Sequence, residues 1–177
     1  MQFLPIFVFF SPNIHQEIPF TYALKDTKVL VVHPFAQTIQ EQYKNHNKLF
    51  QNPKVLPHFS LQTFKAVQTL HQESDDRFHD WFEALEWMSE EISKLDFEIA
   101  LIGCGAYGFP LASRIKNMGK IAIHFGGALQ LLFGIKGKRW EIEQPNVGQE
   151  LFNSHWVYPN KKETIKDSIK IEGGCYW

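Results

Sequence analysis

A chain of 177 residues with 44% hydrophobic and 21% charged residues has material for a real core and the composition of a globular protein. Its net charge of −1 supplies no long-range field for nucleic acid, so nucleic-acid binding is not expected. Two cysteines, Cys104 and Cys175, are too few for a disulfide framework and have no zinc-ligand spacing.

The opening run Met1–Phe10 lacks the basic region and small-residue cleavage site of a signal peptide, and is too short to cross a bilayer. With Pro5 and Pro12 opposing a long helix, it reads as a buried strand, and a cytoplasmic protein without stable membrane insertion is expected. Lys28–His33 is a β-branched apolar run ended by Pro34, the pattern of a buried parallel strand. Thr38–Phe50 has rough helical spacing, and Asn52-Pro53 and Leu56-Pro57 mark a loop. Phe59–Leu70 fits either period; the strand reading is adopted. Ser74-Asp75-Asp76 is a helix-start signal. After it, Phe78, Trp81, Phe82, Leu85, Met88, Ile92 and Leu95 form an apolar stripe. Asp80, Glu83, Glu86, Glu90 and Glu91 are read as its solvated face.

Phe97–Ile102 is a second apolar run, and it leads into Gly103-Cys104-Gly105-Ala106-Tyr107-Gly108, a literal G-x-G-x-x-G. Leu111, Ala112, Ile115 and Met118 form the stripe of a following helix, with Pro110 in its first turn and Gly119 at its end. The segment 120–124 is the next strand, so this stretch is one βαβ unit. Gly126-Gly127 precedes a short apolar helix over Ala128–Phe133, and Gly134–Trp140 mixes glycine with cations. Beyond Trp140 the pattern weakens; Glu150–Trp156 reads as a short helix and Pro159–Ser168 as polar surface. No repeat or linker divides the chain, so one domain over 1–177 is expected. The fold class is α/β: Rossmann-like, a mostly parallel sheet with helices on both faces. The segments 28–33, 97–102 and 120–124 are its expected central strands.

Ligands of open parallel sheets bind beyond the carboxyl ends of the strands. Here three strands end at His33, Gly103 and His124, so His33 and His124 are candidate catalytic residues. The candidate ligand-binding residues are Gly103, Gly105, Tyr107, Gly108, Gly126, Gly127, Lys136, Lys138, Arg139 and Trp140. The glycines would admit a phosphate to the backbone, Arg139 would grip its oxygens and Trp140 would stack on a base or sugar. Each group also has a plainer use, as turn glycines, core histidines or solvated cations. No carboxylate stands at the end of the second strand of the unit, which argues against NAD and weakens an S-adenosylmethionine reading.

GCGAYGFPLA, IHFGGALQLLFGIKGKRW and the final Glu172-Gly173-Gly174-Cys175-Tyr176-Trp177 resemble a bacterial family similar to GT-D-type glycosyltransferases of surface-polysaccharide and glycoprotein assembly. VLVVHPF, WFEALEWM and the pattern from His155 to Pro159 fit the same family, and the resemblance runs from Ala23 to Trp177. It implies a Rossmann-like fold that binds a nucleotide-diphosphate sugar and a glycan acceptor, with Mn or Mg as the expected metal. It also implies that longer relatives carry an N-terminal portion with an acidic metal-binding motif. This chain starts after that portion, so a shortened protein, or one completed by a partner chain, is expected. The metal ligands stay unassigned. His33 or His124 would be the base, or else a hydrogen-bonding partner. The alternatives are a non-catalytic nucleotide- or phosphosugar-binding remnant or accessory subunit, and a methyltransferase-like domain.

Overall fold

The computed structural model describes residues 15–68, 75–164 and 172–177. The expected strand within Met1–Phe10 lies outside the described residues, as do Ser74 and residues 165–168.

Apolar β-branched segments are stable only when both of their faces are covered, and among the described residues they build a four-stranded sheet. β1 (Lys28–His33) lies between β2 (Ser60–Lys65) and β3 (Ile99–Ile102), with β4 (Ile121–His124) beyond β3. Every pairing is parallel. The register sets Val32 against Ile102 and Ile102 against His124, so three strands finish at one level. Among the described residues the segment 120–124, expected in the middle of the sheet, lies at an edge. There Ile121 is exposed and the other three residues are half-buried. The ambiguous segment after Phe59 is a strand, on the opposite edge and also half-covered.

Side chains alternate along a strand, so one run feeds two cores. Val29, Val31 and Leu101 face one core, while Leu30, Val32, Ala100 and Ile102 face the other. Helix α1 (Ala36–Tyr43) covers the first face and α2 (Trp81–Ser93) the second. Helix α3 (Gly108–Asn117) joins α2, and the short α4 (Leu129–Leu132) joins α1. Helices therefore lie on both faces of the sheet. None of the described helices is long and apolar enough to cross a membrane.

The helix ends depart from the sequence reading for identifiable reasons. Asp75 takes the Arg77 guanidinium at 2.8 and 2.6 Å and forms a turn, so α2 starts later. Its cap is Asp80, which accepts the Glu83 N–H at 2.9 Å, while the Glu83 carboxylate accepts the His79 N–H at 2.6 Å. Helix α1 starts before Thr38 because its cap is distant in sequence. The Glu163 carboxylate accepts the N–H groups of Gln37 and Thr38 at 2.8 and 3.1 Å. Glu163 is buried, which corrects the reading of the region around it as surface. The expected helix over 150–156 is instead α5 (Pro145–Leu151), with Pro145 in its first turn. It stops at Phe152, whose backbone turns extended and whose ring packs on Trp156.

Candidate functional site

From β1 the chain moves one way to β2 and later returns to continue through β3 to β4. The strand order reverses between β1 and β3, which is where open α/β sheets leave a crevice. A cavity of about 290 Å³ lies there, bounded by His33, the Gly103–Tyr107 loop, Gly127 and Gln130. Its remaining wall is largely aromatic: Phe35, Trp81, Tyr107, Tyr176 and Trp177. Trp81 and Tyr107 stack with ring centres 5.0 Å apart and planes within 10°. The described lining contains no Asp, Glu, Lys or Arg.

His33 ends β1 and is 3% exposed. Burial pushes its pKa down to about 3, so the ring is neutral at ordinary pH. Its Nδ1 accepts the Phe35 N–H at 3.0 Å, which leaves the proton on Nε2. In that tautomer His33 can donate a hydrogen bond, but it holds no free lone pair with which to act as a base. His124 is not among the cavity residues. It lies under the start of α3, where a Cβ on Gly108 would come within 2.3 Å of its Cε1. Burial lowers its pKa as well, and its buried Nδ1 has no well-formed hydrogen bond, the nearby Ile102 carbonyl offsetting only part of the burial. Cys104 also lines the cavity; burial raises its pKa to about 12, so it is a thiol.

The glycines divide by what surrounds them. A Cβ at Gly103 would meet the Gly126 carbonyl oxygen at 2.6 Å and His33 Cδ2 at 2.8 Å. Gly103 therefore lets two loops and the end of β1 close together. Gly105 has φ +56°, and a Cβ there would meet nothing within 4 Å, so its need is conformational. At Gly127 a Cβ would lie 2.2 Å from Tyr176 Cε1, and at Gly137 it would lie 2.9 Å from the Tyr176 carbonyl. These two glycines make room for the 172–177 segment. Gly126 takes φ +61° at the turn after β4.

None of Lys136, Lys138 and Arg139 lines the cavity. Lys136 lies over the Phe152 and Tyr158 rings at 5.5 and 5.7 Å, and Lys138 is exposed. The Arg139 guanidinium donates to the hydroxyl of the cavity residue Tyr176 at 2.7 Å and lies 4.6 Å from that ring centre, while Lys136 and Lys138 meet cavity residues through their backbone. Trp140 is 2% exposed and belongs to the core, edge-on to Tyr176 at 6.3 Å, so it presents no free face for stacking. Tyr107 is buried and presents its ring to Trp81.

Sequence reading missed Gln130, Trp81, Tyr176 and Trp177 as parts of this cavity. Gln130 is fully buried, and its Nε2 donates to the Lys136 and Tyr176 carbonyls at 2.9 and 3.1 Å. Its Oε1 is buried without a partner. A single amide inside the apolar run Ala128–Phe133 was the available signal. Among the described residues no group of three His, Cys, Asp or Glu side chains could hold a metal ion. The described side chains thus offer no ready-made set of ligands for the expected divalent ion.

A family model described as a GT-D fold-like domain matches residues 7–132. Comparison with curated proteins and with solved structures finds no match.

Proposed function

The chain belongs to the GT-D fold-like domain family, and from that premise we propose that its crevice binds a nucleotide-diphosphate sugar. The protein is glycosyltransferase-like, and surface-glycan synthesis is the process the reading assigns to it. The observation that carries this reading is the cavity at the β1–β3 reversal, walled by the Gly103–Tyr107 loop of a βαβ unit. Backbone N–H groups of that loop and of the first turn of α3 are the donors available to a diphosphate. Arg139 is the cation best placed to help, since it already contacts Tyr176 at the cavity wall. His33 serves as a neutral Nε2–H donor to a ligand oxygen rather than as the base.

That tautomer of His33 favours a second reading, in which the chain binds a nucleotide or phosphosugar without transferring it. An accessory subunit would need the crevice and not the base. No step is assigned to a metal. If Mn or Mg takes part, its ligands come from outside the described residues or from a partner chain.

A thermal-shift screen against nucleotide sugars, with and without manganese, tests the binding. At least one donor should raise the melting temperature, and Arg139→Ala should weaken its binding roughly tenfold through loss of a charge-assisted contact. A flat response across all donors would refute the reading.

A further inference from the structure

The family-matched region ends at residue 132, yet Tyr176 and Trp177 form part of the cavity wall. The fit of this distant segment is close. Gly127 and Gly137 lack side chains where Tyr176 lies, and Gln130 and Arg139 both donate to Tyr176, at 3.1 and 2.7 Å. The Arg139 N–H also donates to the Cys175 carbonyl at 2.8 Å. Gly173 and Gly174, at φ 68° and 74°, supply the bends that bring the segment in. The described lining carries no charge, which suits an uncharged ring better than a diphosphate.

Among the polar side chains of this wall, Gln130 and His33 have hydrogen-bonding capacity left over. Gln130 is fully buried, its amide orientation is fixed by the carbonyls its Nε2 serves, and its Oε1 is unpaired. An unmade acceptor in such a place costs free energy that a ligand donor would recover. His33 presents the complementary Nε2–H, because its Nδ1 is engaged by Phe35. An acceptor and a donor in one aromatic-lined cavity match the hydrogen-bonding edge of a nucleobase, which carries both an N–H and an acceptor atom.

We infer that the 172–177 segment completes a nucleobase pocket in this cavity, with Gln130 and His33 reading the edge of the base and Trp81 and Trp177 flanking its faces. The inference rests on the nucleotide-sugar reading and deepens it: the base occupies the cavity, and the diphosphate lies outside it along the glycine loop.

The test is saturation-transfer NMR on the whole chain with uridine, cytidine, adenosine, guanosine and inorganic pyrophosphate, alongside the corresponding nucleotide sugars. At least one uncharged nucleoside should receive saturation at its base protons. Trp177→Ala, a half-exposed site, should weaken that nucleoside at least tenfold and leave pyrophosphate binding unchanged. Gly127→Ala, which drives a methyl group into the Tyr176 ring, should do the same, with circular dichroism confirming the fold of both variants. If nucleotide sugars and pyrophosphate bind but no nucleoside does, the pocket assignment falls and the nucleotide-sugar reading stands. Nucleoside binding that both variants retain at wild-type strength overturns it equally. Failure of every ligand removes both.

Discussion

Gly103 and Gly105 are two positions apart in one loop, and each needs glycine for a different reason. At Gly103 the space is filled by the Gly126 carbonyl and the His33 ring, so Gly103→Ala overpacks the joint between two strand ends. The expected cost is about 1–3 kcal/mol. At Gly105 the space is open but φ is +56°, so Gly105→Ala should cost about 1–2 kcal/mol through backbone strain alone. Urea denaturation measures both costs. His33 adds a pH dependence of known sign. Its imidazole takes a proton near pH 6.5 when unfolded but only near 3 when folded, so falling pH favours the unfolded chain. The stability from its neutral burial is complete above about 6.5 and is lost progressively towards 3, at no more than about 1.4 kcal/mol per pH unit. Comparison of urea midpoints for wild type and His33→Gln at about pH 7.5 and about pH 5 isolates it. The gap between the two proteins should narrow at the lower pH; a constant gap would contradict a buried neutral ring. The glycine positions were legible in the sequence, but their uses were not. Those depend on Gly126, His124 and Tyr176, which approach only in the folded chain.

Among the elements, α1 depends on a residue far along the chain. Glu163 accepts two of its first N–H groups and lies near the Thr38 hydroxyl as well. Glu163→Ala should leave the buried Thr38 N–H without a partner, release that of Gln37, and cost about 1–3 kcal/mol, with Glu163→Gln milder because one oxygen remains. Asp80→Ala, at an exposed local cap, should cost about 1 kcal/mol. Thermal denaturation should therefore rank Glu163→Ala below Asp80→Ala; the reverse order would deny Glu163 its capping role. This contrast also marks what sequence can convey about elements. β1 is readable because five consecutive residues, Val29–His33, carry their own signal of burial. The start of α2 is not, because Asp75 resembles a cap while bonding to Arg77 instead. The N-terminus of α1 cannot be read locally at all, since its cap carries no local pattern.

For the whole molecule, the sequence conveys the parallel sheet and the edge on which the strands end, because apolar runs and a βαβ unit restrict topology strongly. It does not convey that Tyr176 packs on Gly127, or that none of the three cations lines the cavity. Long-range packing fixes both. The proposed function joins a crevice read as a nucleotide-sugar site to a histidine in the wrong tautomer for a base. Binding and turnover should therefore separate. A phosphorus NMR series on the purified 177-residue chain, with a panel of nucleotide sugars and magnesium, reads both at once. The account predicts that the diphosphate resonances of at least one donor shift or broaden with added protein, while free nucleoside diphosphate accumulates slowly or not at all. Unperturbed resonances for every donor, or rapid metal-dependent release of nucleoside diphosphate, would contradict it.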